Sequence, residues 1–403
     1  MDFPNIQSDL RPAANSSPCT RAASAAACGR IVLLADDLTG ACDASAGFVN
    51  QGFTASVLLR ELLPEQAPAT DLVAAVTYTR DLGPDATRQL LLNHPILRNF
   101  NSGNIFHKVD SAGRGNPGVE MTAIAAQAHC DAIVFAPAFP GAGRVVRNGQ
   151  LHVVDFSRQN RHTDLLSLLP SSLRSQAELV PIQSVEFLHR KMEAANSVRR
   201  NLWICDAASE KDLDAIVEAA SGLPLRILWS GSAGLAAAVA RHCASSASGR
   251  TALRTPEPRP GRTLVVSGTD HAVTLAQFER LAVSVVRLSL DAAVVPDFAC
   301  GCLQLDWART TPGAVRGFWQ RLHKADQPPI TSLVLTGGDT AAFVLEALGA
   351  SSLILGGELE QGIPWSRVVG GWADGALAIT KSGGFGTVDS LTHCAQFSQR
   401  MKG

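Results

Sequence analysis

IVLLADDLTGACD, residues 31–43, is the stretch on which the fold turns. Ile31 to Ala35 is continuously apolar, as a strand buried on both faces must be, and it breaks off at two carboxylates, Asp36 and Asp37. Thr39 and Gly40 then open an apolar stretch with helical spacing. The same pattern recurs along the chain, in TASVLL from Thr54, LVAAVTYT from Leu72, AIVFAPAF from Ala132, LWICDA from Leu202 and LRILWSG from Leu225. Residues 85–92, 123–129 and 210–220 carry helical periodicity between these runs. Buried strands alternating with helices predict an α/β fold of mostly parallel sheets flanked by helices.

At 403 residues the chain exceeds the size at which a single core stops growing, so two domains are expected. TALRTPEPRPGR, residues 251–262, holds three prolines and almost no large apolar side chain, so it reads as a linker. Beyond it the alternation restarts with TLVVSG, SVVRLSL, SLVLTGG, SLILGG and ALAITKSG. The expected organisation is a disordered extension over 1–29, one domain over 30–250, the linker over 251–262 and a second domain over 263–403. The leading segment is rich in Ala, Ser, Pro and Asn and lacks the apolar stretch of a secretory signal.

Lys and Arg number 35 against 36 for Asp and Glu, a balance that argues against nucleic-acid or anionic-membrane partners, which need a basic field. No apolar run has the length of a membrane-spanning helix. The nine cysteines are scattered, only Cys300 and Cys302 lie close together, and no further pair completes a zinc set. Reduced thiols and a cytoplasmic location are expected.

In open parallel sheets ligands gather at the carboxyl ends of strands, which is where Asp36 and Asp37 fall. A helix cap accounts for one of them; two adjacent carboxylates suggest a site for a reacting hydroxyl or a metal. HKVDSAGRGNPGVE, residues 107–120, supplies Lys108 and Arg114, and Gly113, Gly115 and Gly118 are expected to let a ligand approach the backbone. His107 reads as a strand residue. APAFPGAGRVVRNGQ, residues 136–150, reads as a rigid loop that carries Arg144 and Arg147, while Arg80 ends the run from Leu72. In the C-terminal half VVSGTDHAVT (265–274), LTGGDTAAFV (335–344) and TKSGGFGTVD (380–389) are three Gly-rich strand ends. Each offers backbone N–H groups at a helix N-terminus, suited to a polyphosphate. Neither GxxxxGK[ST] nor a strand-borne GxGxxG with a later acid is present, which speaks against a P-loop fold and a dehydrogenase.

Together ADDLTGACD, KVDSAGRGNPGVE, APAFPGAGR, WSGSAGLA (229–236), LTGGDTA, GELEQGIP (357–364) and TKSGGFG resemble the four-carbon acid sugar kinase family, whose members act on threonate, erythronate or 3-oxotetronate. The resemblance implies an N-terminal acid-sugar domain, a C-terminal ATP domain and transfer of a phosphoryl group to the C4 hydroxyl. It implies that Asp36 and Asp37 are catalytic and that Lys108, Asp110, Arg114 and Asn116 bind the acid; Arg80 and Arg144 are further candidates for that site by their charge and position alone. Ser267, Gly337, Gly338, Asp339, Thr340, Gly383, Gly384 and Gly386 would surround ATP, with Mg²⁺ on its phosphates and no dedicated protein metal set. The expected partners are therefore the acid sugar and ATP, and a homodimer is left open. Two departures stand out: Ala112-Gly113 replace the family's usual Thr-Leu, and Asp270 and His271 replace small residues. An NAD-dependent hydroxy-acid dehydrogenase and a degenerate homologue that binds a metabolite without turnover are the alternatives.

Overall fold

The computed structural model describes residues 30–60, 68–98, 104–154, 160–245, 260–282, 285–323 and 327–400. The expected extension over 1–29 and the linker residues 251–259 lie outside them. The chain forms two compact units, one made of Met1–Asp36 and Leu63–Thr251, the other of Asp37–Leu62 and Ala252–Gly403.

The first division thus falls at the Asp36–Asp37 peptide, and residues 37–62, expected in the N-terminal domain, belong to the C-terminal unit. Strand pairing is the reason. Ala55–Leu58 runs antiparallel to Ser352–Glu360, with Leu58 opposite Ser352, and the helix Leu38–Val49 packs on that same strand. Arg262, expected to end the linker, is the first residue of the strand Arg262–Ser267.

The N-terminal unit is built on seven parallel strands in the order Leu72–Val76, Ile31–Ala35, Asn104–Lys108, Ile227–Gly231, Ala132–Ala136, Leu202–Cys205 and Ala177–Val180. Their registers align Ala35 with Val76 and Lys108, and Gly231 with Lys108 and Ala136, so five strands end at one level. The helices Pro84–Asn93, Pro117–Gln127, Val185–Ser197, Glu210–Ser221 and Ala233–Ser245 are part of this unit. Ser209 and Asp212 form a reciprocal capping box at the start of Glu210–Ser221.

A three-stranded antiparallel sheet, Arg144–Arg147, Gln150–Val154 and Asn160–Asp164, stands where the sequence suggested only a loop. Asn148 and Gly149, both at positive φ, make its first turn, the Asn-Gly pair that a tight hairpin favours.

In the C-terminal unit five strands run parallel: Val286–Leu288, Cys300–Gln304, Arg262–Ser267, Ile330–Thr336 and Leu377–Lys381. Ile363–Val369, Ser352–Glu360 and Ala55–Leu58 continue that sheet through antiparallel pairings. Ser267, Gln304, Thr336 and Lys381 are in register, which brings the Gly-rich strand ends to one edge. Ala272–Ala282 packs with Ser390–Arg400, while Gly338–Ala347 packs with Leu38–Val49 and Pro312–Leu322. Val265, Phe278, Leu281, Val334, Ile379 and Leu391 lie in this unit's core.

The seven cysteines among the described residues are buried thiols outside any disulfide. Burial pushes the thiols of Cys42 and Cys130 up to about 12, so they serve as small apolar side chains. Among the described residues no helix is long and apolar enough to cross a membrane.

Gly118, expected to make room for a ligand, makes room for protein instead. A Cβ at this position would stand 2.4 Å from the Leu168 carbonyl oxygen and 2.9 Å from Pro170 Cδ. Gly118→Ala should therefore cost about 1–3 kcal/mol of stability, measured as a lowered urea midpoint; an unchanged midpoint would show that the packing there is loose.

Candidate active site

In the N-terminal unit the level strand ends collect charge. Asp36 follows Ala35 directly, is 3% exposed, and accepts a 2.8 Å hydrogen bond from Arg80 Nε. Arg80 Nη2 also stands 3.6 Å from Asp110 Oδ1. Asp110 in turn holds Arg114 through two parallel bonds, Nε to Oδ2 at 3.0 Å and Nη2 to Oδ1 at 2.7 Å. The backbone amides of Ala112 and Arg114 donate to the same carboxylate.

Burial would raise the Asp110 carboxyl, but Arg114, Arg80 and Lys108 outweigh it and hold the group well below the usual carboxylate range. Lys108 is buried at the end of its strand, and its Nζ donates to the Val109 carbonyl at 2.9 Å. Three cations, Arg80, Lys108 and Arg114, thus face two carboxylates, an excess of positive charge suited to an anionic ligand.

Several expected ligand residues prove to be committed within the protein. The Arg114 fork grips Asp110, although its side chain is 63% exposed. Asn116 Nδ2 donates to the Leu82 carbonyl at 2.7 Å and so ties two loops together. Arg144 begins the small antiparallel sheet and donates to the Ala142 carbonyl in its own turn. Gly115, at φ 83°, lies against Asp36 and Arg80, where a Cβ would be 3.7 Å from Asp36 Oδ2. His107 is a core strand residue bonded to Ser230 Oγ at 2.9 Å and Glu120 Oε2 at 3.0 Å.

Tyr78 is the chain's single tyrosine, and nothing in the sequence marked it as special. It sits at φ 53° and is 49% exposed, two residues before Arg80. Thr77 and Thr79 bond each other beneath it, so the buried hydroxyls hold a backbone conformation that a bulky side chain avoids.

In the C-terminal unit Asp37 caps the helix Leu38–Val49, with Oδ1 accepting from Gly40 N–H at 2.8 Å and Oδ2 from the Thr39 hydroxyl at 2.9 Å. The same Oδ2 faces the start of a second helix, Gly338–Ala347, where a Cβ on Gly338 would stand only 2.8 Å away. Gly337 at φ 99° precedes that helix, Asp339 in its first turn is exposed, and Thr340 is buried.

The three Gly-rich strand ends converge. Thr269 lies 3.2 Å from a Cβ built on Gly337 and 3.0 Å from one on Gly383, and His271 Nε2 lies 3.1 Å from one on Gly384. Gly386, at φ 84°, has a structural reason, because a Cβ would meet Ser390 Oγ at 2.5 Å. Ser267 Oγ is buried at its strand end and has no hydrogen-bond partner among the described residues. Trp307 was not anticipated either. It is 44% exposed, donates to the Gly268 carbonyl and meets the Phe343 ring edge-on at 5.4 Å.

Because the Asp110 pKa is depressed on folding, its stabilising contribution is fully present above the pKa of the unfolded carboxyl and fades as pH falls below it. Asp110→Asn should lose stability by a constant margin from about pH 5 to 8, and by a shrinking one below about pH 4. Urea midpoints at each pH measure this, and a margin that grew on acidification would contradict it.

Comparison with known proteins finds two domain families, the first of them running unbroken through residues 37–62. Residues 31–239 match the sugar-binding N-terminal domain and residues 304–391 the nucleotide-binding C-terminal domain. A D-threonate kinase of Cupriavidus necator is 29% identical over 417 residues, 91% of this chain and 97% of that protein. A 3-oxo-tetronate kinase of Actinobacillus succinogenes is 26% identical over 412 residues, 89% of this chain and 97% of that protein. A crystal structure of a Salmonella typhimurium protein shares the fold, with a TM-score of 0.72 at 20% identity, covering 91% of this chain and 99% of that one. The paired domain matches and the near full-length similarity to these kinases make the chain a member of the four-carbon acid sugar kinase family.

Proposed function

We propose that the protein is a cytoplasmic, ATP-dependent kinase that phosphorylates the C4 hydroxyl of a four-carbon acid sugar of the threonate, erythronate or 3-oxotetronate type. The N-terminal unit would bind the acid and the C-terminal unit ATP. The observation that carries this reading is the placement of Asp37: its carboxylate faces the helix that starts at Gly338, the kind of helix end that attracts phosphate. The names of the relatives, D-threonate kinase and 3-oxo-tetronate kinase, support the substrate class.

In this mechanism the excess positive charge of Arg80, Lys108 and Arg114 draws the sugar carboxylate. Arg114 acts through the exposed part of its guanidinium while Asp110 holds its orientation. Asp36 is committed to Arg80 and sets that side chain's direction. Asp37 is the better candidate to orient the attacking hydroxyl and take its proton, because the bonds it accepts from the Thr39 hydroxyl and the Gly40 amide come from neutral donors. The amides at the start of Gly338–Ala347 and the Gly383–Gly386 loop would receive the phosphates.

Mg²⁺ commonly keeps several waters and takes one or two protein carboxylates beside substrate phosphates, and the exposed Asp339 fits that modest donor set. Bound there, the ion would neutralise phosphate charge.

A coupled ADP-release assay across four-carbon hydroxy-acids should reveal turnover that requires both ATP and the acid. Asp37→Asn keeps a side chain able to cap the helix, so it should fold and bind ATP while losing at least about a hundredfold in kcat; near-parental turnover would remove Asp37 from the chemistry. Arg80→Ala should raise KM for the acid about tenfold or more and leave KM for ATP nearly unchanged. An effect confined to ATP would reverse the division of labour.

A further inference from the structure

Lys381 takes no part in that scheme, although it is fully buried at the end of the strand Leu377–Lys381, directly before the third glycine loop. Its Nζ donates to Thr274 Oγ1 at 3.0 Å and to the carbonyls of Ser382 at 2.8 Å and Phe385 at 3.3 Å. Thr274 donates in turn to the Gly383 carbonyl at 2.7 Å. Gln277 Nε2 donates to the carbonyls of Phe385 at 3.1 Å and Thr387 at 2.6 Å.

In a trans peptide the C=O of one residue and the N–H of the next point in opposite directions, and no cis peptide occurs among the described residues. The inward Ser382 carbonyl therefore turns the Gly383 amide outward, the Gly383 carbonyl does the same for Gly384, and the Phe385 carbonyl for Gly386. Among the described residues these three amides donate to no protein group.

Resting on the reading that the C-terminal unit takes ATP, we propose that Lys381 is a positioning residue which, with Thr274 and Gln277, holds the carbonyls of this loop inward. The amides of Gly383, Gly384 and Gly386 are thereby presented as a cradle for the nucleotide's phosphate chain. Thr269 and His271 line its rim, so close that a side chain on Gly383 or Gly384 would crowd it.

The charge of Lys381 is part of the device. Among the described residues no carboxylate lies within ion-pair distance of Nζ. From the helix Ser390–Arg400 it faces the Cys394 thiol, which burial and Glu360 push up to about 12 and keep neutral. Helix Ala272–Ala282 contributes the neutral Thr274 and Gln277, and strand Ile330–Thr336 contributes Thr336, bonded to Thr274. Burial pulls the Lys381 ammonium down to about 8, and a polyanion in the cradle supplies the missing countercharge. Nucleotide binding should then be coupled to proton uptake at Lys381 once the pH exceeds about 8.

Calorimetric titration of the full chain with a non-hydrolysable ATP analogue and Mg²⁺, from pH 7 to 9.5, tests this. Affinity should fall by up to about tenfold per pH unit above 8. Lys381→Met should bind at least about tenfold more weakly at pH 7, lose that slope, and leave affinity for the acid unchanged. Gly384→Ala, which leaves the anchor intact, covers the case in which Lys381→Met does not fold; it should weaken nucleotide binding alone. If the parent binds the analogue but shows no slope above pH 8, or if either folded variant binds it as the parent does, the role of Lys381 is overturned and the kinase reading stands. If the parent binds no nucleotide, the kinase reading falls and takes this role with it.

Discussion

A parallel strand covered on both faces can carry charge only where it leaves the sheet, and that constraint organises both units. Lys108 and Lys381 are each the last residue of such a strand, and each folds its ammonium back onto the next carbonyl, Val109 or Ser382. A buried ammonium must find oxygen acceptors, so each lysine fixes the first peptide of the loop that follows it. The surroundings then diverge. Lys108 sits with the guanidinium groups of Arg114 and Arg80, which together with it hold Asp110 ionised, whereas Lys381 meets only hydroxyl and carbonyl oxygens and a neutral thiol. One strand end is surrounded by charge of both signs, and the other has neutral partners only.

The adjacent carboxylates Asp36 and Asp37 show how one short motif serves two ends. Asp36 closes a strand of one unit and locks Arg80, while Asp37 opens the first helix of the other and faces Gly338. Successive residues of an extended segment point to opposite sides, and the backbone of Asp37, at φ −144° and ψ 163°, is extended. Two carboxylates with separate partners therefore need no more than one peptide bond between them.

Much of this was legible because parallel strands announce themselves as unbroken apolar runs. IVLLA, LVAAV, AIVFA and LVLT lie within strands, and the Gly-rich segments after TLVVS, LVLT and LAIT do share one edge. What stayed hidden was pairing. Nothing local to ASVL says that its partner lies almost three hundred residues away, so the pairing that joins it to Ser352–Glu360 was not legible. The Asn148-Gly149 hairpin carried a readable turn signal, but the alternation of its strands is weak and proline and glycine just upstream suggested a loop. Arg114 was read as a ligand contact from its chemistry and Asn116 from the family resemblance; that they also spend hydrogen bonds on Asp110 and Leu82 is something a sequence cannot disclose.

The glycines make the same point in a sharper form, since one residue type answers three different demands. Gly118 yields to the Leu168 carbonyl, a matter of close packing. Gly337 adopts φ 99°, which other residues avoid, and so allows the sharp entry into the next helix. Gly383 and Gly384 have neither a backbone contact under 3 Å nor a positive φ; what a side chain there would meet is Thr269 and His271 across an open rim. Packing and backbone conformation explain the first two and leave the last pair without an internal cause. A loop in which the carbonyls of Ser382, Gly383 and Phe385 are drawn inward, and whose bare glycines face polar side chains, is shaped by something other than its own packing, which is the ground for proposing a phosphate chain there.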